Sequence, residues 1–105
     1  MKKANVNSIK EFSAEKFVKK TLFDSDKLVT DIYCFQPGQI LDVHKHPHSD
    51  QVFYFIEGTG VMTVGNEETQ VGPGDSTLAP ADVEHSIRNT GSTTMIAFQV
   101  TTPKL

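Results

Sequence analysis

The sequence lacks the features that mark a secreted, membrane-bound or nucleic-acid-binding protein. It has one cysteine among 105 residues, so no internal disulfide can form and a reducing compartment is favoured. The net charge of −3 offers no basic surface to nucleic acid or to an anionic membrane. No apolar run approaches the length of a membrane span, and residues 4–8 form no apolar signal-peptide core. We therefore expect a cytoplasmic protein without nucleic-acid or membrane partners.

The chain has the pattern of a single all-β domain. No long window carries a sustained 3.6-residue apolar repeat, whereas about eight or nine short strands recur roughly every ten residues between turn signals. This spacing is typical of a β-sandwich or barrel. We expect an N-terminal segment over 1–26 that includes an edge strand, a barrel over 27–101, and a C-terminal tail over 102–105.

One predicted strand, from Gln51 to Glu57, is apolar on both faces. Because side chains alternate along a strand, Phe53 and Phe55 leave one face while Val52, Tyr54 and Ile56 leave the other. A strand of this kind is typically covered on both sides, within a sandwich or by a partner subunit.

All four histidines fall in two short segments, His44 to His48 and the single His85. His44 and His46 are two residues apart, so in a strand both imidazoles leave the same face, with Cα atoms about 6.6 Å apart. Two imidazoles at this spacing can converge on one metal ion, whose bonds to nitrogen are about 2.0–2.1 Å for zinc. Gln51 could bring an amide oxygen to the same ion.

The first histidine segment resembles the leading motif of the cupin superfamily. That motif places a glycine, a His-x-His pair, an acidic residue and a second glycine at fixed intervals. Here the corresponding residues are Gly38, His44, His46, Gln51 and Gly58. The chain departs from the pattern at Gln51, since the usual cupin has Glu at this place, although some small cupins of the pectin-degradation type carry Gln.

The second histidine segment resembles the second cupin motif, with Gly74, Pro80, His85 and Asn89 at the motif positions. Asp82 stands where the motif usually has Gly, and aspartate tolerates left-handed backbone better than most residues. The paired motifs are similar to those of small single-domain, RmlC-like cupins and cover roughly residues 27–101. The resemblance implies a jelly-roll barrel, also called a double-stranded β-helix, usually assembled as a homodimer with one divalent metal inside the barrel.

The resemblance gives His44, His46, Gln51 and His85 as the metal ligands. Three imidazoles and one amide oxygen suit Zn, Ni, Fe or Mn. Two further residues are candidate catalytic groups. Asp42 shares the strand parity of His44, although a turn or a bulge would reverse the face to which it points. His48 lies at the rim of the site. Parity also predicts a set of apolar residues that wall the pocket: Phe53, Phe55, Ile87, Ile96 and Phe98.

Three functions are compatible with these residues. The first is a metal-dependent isomerase or lyase that acts on a small anionic or sugar-acid-like substrate, because an ion with uncharged ligands is a strong Lewis acid. The second is an iron-dependent dioxygenase, against which Gln in place of Glu argues mildly. The third is a module that binds a small ligand such as a sugar without turnover.

Overall fold

The computed structural model describes residues 1–105, which form nine strands and one short helix. The elements are α1 (Val6–Ile9), β1 (Val18–Asp24), β2 (Val29–Phe35), β3 (Ile40–His44), β4 (Asp50–Glu57), β5 (Gly60–Val64), β6 (Glu67–Val71), β7 (Ser76–Ala79), β8 (His85–Arg88) and β9 (Met95–Thr102). The prediction of an all-β chain is confirmed. The short helix α1 was not predicted, because four residues are too few to show a helical repeat.

The strands form two antiparallel sheets that face each other. One sheet has five strands in the order β1-β2-β9-β4-β7, and the other has four in the order β3-β8-β5-β6. Neighbouring strands are mostly distant in sequence, as in a jelly roll, whose two sheets enclose one interior. Strand β1 lies within the predicted segment 1–26 and forms an edge of the first sheet. The division of the chain at residue 27 stays a prediction.

The interior between the sheets holds the main apolar core. Because alternate side chains of each strand point inward, eleven buried residues from both sheets and from the ends of their strands make one cluster. Its members are Tyr33, Phe35, Leu41, Phe53, Phe55, Met62, Val71, Ala79, Ile87, Met95 and Ala97. The predicted pocket-wall residues Phe53, Phe55 and Ile87 therefore lie inside the barrel.

The other two predicted pocket-wall residues, Ile96 and Phe98, lie outside the barrel, so that prediction is wrong. Gln51 is the Cα partner of Thr101, which places the odd-numbered residues of β9 inside and the even-numbered ones outside. Ile96 belongs to a second cluster on the outer face of the five-stranded sheet, together with Ile32 and Cys34. The N-terminal segment covers this cluster, with its apolar side chains packed against it: Val6, Ile9 and Phe12.

The rest of that outer face is open. Val52, Tyr54 and Leu78 expose 42%, 47% and 54% of their surface, and Ile56 follows on the same stripe of β4. Val52 and Leu78 are Cα partners on adjacent strands, so the exposed groups form a continuous patch. The prediction that this face of β4 is covered by a partner subunit is compatible with such a patch.

Two turns between strands require residues that adopt a positive φ. Asp82 has a φ of 64°, so aspartate adopts the left-handed conformation at the motif position where glycine is usual. Gly58 has a φ of 74°, and a Cβ atom there would collide with the backbone carbonyl of Thr94. At this position both the conformation and the space require glycine.

Candidate metal centre

Three histidines meet at one end of the barrel. His44 is the last residue of β3, His46 lies in the loop after it, and His85 is the first residue of β8. Each offers a ring nitrogen, and these nitrogens all lie within 4.8 Å of one another. Strand pairing brings two of them together directly, since His44 and His85 are Cα partners. The three imidazoles could hold a metal ion.

Backbone hydrogen bonds determine which nitrogen of two rings is free. Nδ1 of His44 lies 2.8 Å from the carbonyl oxygen of Asp42, and Nδ1 of His85 lies 3.1 Å from that of Val83. A carbonyl oxygen can only accept, so each Nδ1 carries the proton and donates. In the neutral rings Nε2 therefore has the free lone pair that a metal requires.

Two buried polar atoms beside the cluster lack a partner. Gln51 is 2% exposed, and its Nε2 donates to Thr101 Oγ1 at 3.0 Å, which leaves Oε1 without a hydrogen bond. His85 is also 2% exposed, and its Nε2 has no partner either. Since buried polar atoms are almost always satisfied, two orphaned acceptors at one histidine cluster fit a cation that the side chains would share.

Burial also favours the uncharged form of two of the histidines, His46 and His85. It lowers the pKa of His46, and the nearby His44 and Lys19 act in the same direction. Burial likewise lowers the pKa of His85, while the hydrogen bond to Val83 opposes this and the other two histidines add to it. Neutral imidazole is the form that ligates metals. The protein environment thus prepares these two rings for a cation.

A β-bulge explains where the structure places Asp42. Leu41 is paired with Ile87 and His44 with His85, so two residues of β3, Asp42 and Val43, oppose one residue of β8. The extra residue breaks the parity that was used to place Asp42 beside His44. The carboxylate of Asp42 is exposed, and only its backbone carbonyl contacts the site. The structure does not bring the Asp42 side chain to the cluster.

His48 is likewise exposed and lies outside the group of three histidines. Asn89, which occupies the last place of the second motif, is buried at the other end of β8. Its Nδ2 donates to the carbonyls of Phe35 and Thr93, and its Oδ1 accepts from the amide of Gly91. This motif residue holds a turn and has no contact with the histidines.

A cavity of about 240 Å³ opens beside the cluster, with His44, His46 and Gln51 in its lining. Its other walls come from β1, β2, β9 and the C-terminal tail. Two of these residues are aliphatic, Val29 and Leu105, and five carry polar groups: Lys19, Asp31, Tyr33, Gln99 and Thr101. The sequence reasoning missed all five of these residues. The one available signal was Asp31, an acidic residue inside a strand that is otherwise rich in apolar side chains.

Burial and the neighbouring Asp31 carboxylate raise the pKa of Tyr33 to about 12. The phenol therefore stays protonated at neutral pH and offers the cavity a hydrogen-bond donor. The site as a whole combines three imidazoles, one uncharged amide, one buried carboxylate and one exposed lysine. Such a site can hold a cation and, next to it, a small polar molecule.

The fold and the cluster of three histidines define a class of protein, and comparison with known families agrees. The cupin domain family matches residues 31–101. The chain belongs to the cupin family.

Individual relatives agree with this assignment. The crystal structure of TT1209 from Thermus thermophilus superposes with a TM-score of 0.96 at 34% identity, and the match covers 100% of both chains. An uncharacterised protein of Methanocaldococcus jannaschii is 40% identical over 50 residues, which are 48% of this chain and 40% of that protein. An oxalate-binding protein of Thermotoga maritima is 32% identical over 57 residues, which are 54% of this chain and 47% of that protein. The match therefore spans less than half the length of each of these two curated relatives.

The structure contains no helix with the length and apolar character needed to cross a membrane. Its one helix has four residues.

Proposed function

We propose that this cupin is a metal-dependent enzyme whose ion is held by His44, His46, Gln51 and His85. The ion is a divalent transition metal, Zn, Ni, Fe or Mn, as the nitrogen and oxygen donors favour. The substrate is a small anionic or sugar-acid-like molecule, and the reaction is an isomerisation or elimination. A bound ion supplies Lewis-acid polarisation of a substrate oxygen.

The observation that carries this proposal is the pair of orphaned buried atoms, Gln51 Oε1 and His85 Nε2. Every proposed ligand is uncharged, because the amide replaces a carboxylate and the imidazoles are neutral. The charge of the ion is therefore not neutralised by its own ligands, which favours an anionic molecule in the neighbouring cavity. The oxalate-binding relative from Thermotoga maritima supports a small carboxylate as the ligand class.

The metal part of the proposal is tested by elemental analysis of protein purified without a metal-binding tag. We expect near-stoichiometric divalent metal in the wild type and a clear loss of occupancy in Gln51→Ala, with an unchanged circular dichroism spectrum. Gln70→Ala is the matched control, because Gln70 is exposed on β6. Unchanged metal content in Gln51→Ala would remove this residue from the ligand set.

The chemical part is tested by proton exchange. An isomerase or lyase that enolises its substrate exchanges a substrate C–H with solvent deuterium, and NMR in D₂O detects this exchange in a panel of hexuronates and their keto isomers. We expect exchange with metal-loaded protein and none after chelation. Metal-dependent oxygen uptake without exchange would establish the dioxygenase instead, and binding without either reaction would establish a ligand-binding module.

The exposed patch formed by Val52, Tyr54, Ile56 and Leu78 supports a homodimer as the working form. Monomeric proteins rarely leave contiguous apolar patches of this kind without a partner, and a symmetric dimer would cover the same patch on both copies. Sedimentation should show a dimer that Tyr54→Lys dissociates, and a wild-type monomer at high concentration would refute this assembly. A cytoplasmic location, favoured by the single unpaired Cys34, stays a prediction.

A further inference from the structure

The cavity beside the histidines has a polar wall that metal binding does not explain. We call Lys19, Asp31 and Gln99 the polar wall; they lie on β1, β2 and β9 of the five-stranded sheet and all line the cavity. None of the three is among the proposed metal ligands. Two of them, Asp31 and Gln99, are Cα partners on adjacent strands, so their side chains leave the sheet side by side.

Asp31 is a carboxylate buried without a cation. It is 3% exposed and takes part in none of the five ion pairs of the protein. Its one hydrogen-bond partner is Thr21, whose Oγ1 donates to Oδ1 at 2.7 Å. A buried carboxylate with so few partners is costly to the fold. Its second oxygen retains the capacity to accept hydrogen bonds from a molecule in the cavity.

Gln99 provides the complementary donor. It is 1% exposed, and its side chain lies close enough to the Tyr33 phenol to lower the pKa of Tyr33, yet its Nε2 is one of the four buried side-chain polar atoms without a well-formed hydrogen bond. The protein thus places an unused acceptor, on Asp31, next to an unused donor, on Gln99. A hydroxyl group is the functional group that donates and accepts at once. A hydrogen-bonding pair of this kind is therefore complementary to a hydroxyl or to a vicinal diol.

Lys19 adds a positive charge at the edge of the cavity. Its side chain is exposed, forms none of the five ion pairs, and lies near enough to His46 to lower the pKa of that ring. An ammonium group without a protein partner attracts an anionic group of a ligand. The polar wall therefore combines recognition of a hydroxyl with attraction of a negative charge.

We propose that the polar wall is the substrate-binding surface of the site and selects hydroxylated carboxylates, with a substrate hydroxyl held between Asp31 and Gln99 and the carboxylate drawn by Lys19 and the ion. This inference rests on the proposed function, because it assumes that the same cavity holds the substrate. The volume of about 240 Å³ lies below the usual range of roughly 300–1,000 Å³ for sites that take drug-sized ligands. A cavity of this size fits one small acid.

The test compares two six-carbon carboxylates that differ in their hydroxyl groups, gluconate and hexanoate. Calorimetric titration uses zinc-loaded full-length protein. We expect gluconate to bind at least roughly tenfold more tightly than hexanoate, and Asp31→Asn to remove most of that difference with zinc content unchanged. The exposed turn residue Asp26 supplies the matched control, and Asp26→Asn should keep the preference. Equal affinities of the wild type for the two acids would overturn the proposal.

A second variant separates binding from a structural role. Gln99→Met keeps the length of the side chain and removes the orphaned donor. If Gln99 donates a hydrogen bond to the ligand, this variant loses the gluconate preference. Its midpoint temperature of thermal unfolding stays unchanged or rises, because an unsatisfied buried donor has been removed. A lower midpoint with an unchanged gluconate preference would show that Gln99 is structural and would overturn its assigned role.

The outcomes also separate this inference from the proposed function. Protein that takes up no metal refutes the metal-dependent enzyme before any acid is titrated. Protein that loads zinc and exchanges substrate protons, yet shows no effect of Asp31→Asn on the gluconate preference, keeps the proposed function and refutes the polar wall as the selective surface.

Discussion

The two halves of the barrel interior are made from the same strands and differ in chemistry. Towards the N-terminal end of β2 and the C-terminal end of β9, the inward residues are mostly polar, as in Asp31 and Gln99, with Val29 as an apolar exception. Towards the other end of the same strands they are apolar, as in Phe35 and Met95, which are Cα partners and fully buried. We call these the polar half and the apolar half.

The comparison shows that the role of a residue depends on its position along the strand as well as on the face to which it points. Inward residues at one end of a strand line the candidate site, and those at the other end stabilise the fold. In β4 the inward residues run from Gln51 through Phe53 to Phe55, and in β8 they run from His85 to Ile87. Each strand therefore contributes a ligand candidate at one end and a core residue at the other. The apolar half can anchor the strands while the polar half retains unsatisfied groups that would destabilise a core.

The largest effect is expected in the apolar half. Phe55→Ala removes a fully buried ring from the main core and should lower the free energy of unfolding by about 3–5 kcal/mol. Denaturant unfolding measures this change. A loss below about 1 kcal/mol would show that the apolar half is not where the stability lies.

The next effect concerns the polar half. His44→Ala should weaken metal binding by more than about 100-fold, since even residues that only orient a ligand contribute 10- to 100-fold. The metal-free protein should unfold at nearly the wild-type denaturant concentration, because His44 is only partly buried. Competition with a chelator measures the affinity. If metal-free His44→Ala is as unstable as Phe55→Ala, the division between the halves fails.

The smallest effect tests the boundary between the polar half and the apolar half. Tyr33 lies at this boundary, because it lines the cavity and also belongs to the main core. Burial raises the pKa of Tyr33 from 10 to about 12. Because the folded value is the higher one, the stabilisation is complete below pH 10 and is lost as the pH rises towards 12, by an amount on the order of 2 kcal/mol. Tyr33→Phe should lack this loss in denaturant unfolding across the same range.

A direct titration complements that measurement. The chain has two tyrosines, so Tyr54→Phe leaves Tyr33 as the only phenol whose ionisation changes the ultraviolet absorbance. Ionisation near pH 10 in this variant would mean that Tyr33 is hydrated and belongs to the polar half alone.

Much of the fold was predictable because its signals are local. Turn residues such as Gly58 mark the strand ends, the nine strands agree with the predicted eight or nine, and the predicted strand from Gln51 to Glu57 is β4. The paired motifs led to the jelly roll and to the histidine cluster. Local patterns were sufficient where the information lies within one strand or one turn.

The errors arose where two strands have to be related. The inward face of β9 depends on its register with β4, and a shift of one residue exchanges the two faces. Ile96 and Phe98 were therefore assigned to the wrong side. Asp42 was misplaced by a bulge, which depends on the partner strand β8. The polar wall was missed for the same reason, since Asp31 and Gln99 are 68 residues apart and meet only through the pairing of β2 with β9.

The N-terminal segment gives the chain a built-in reporter of local opening. Cys34, the only thiol, is fully buried beneath that segment, and burial raises its pKa. A thiol reagent can reach the sulfur only when the segment lifts from the sheet. The labelling rate in native buffer therefore measures how often this region opens, separately from global unfolding.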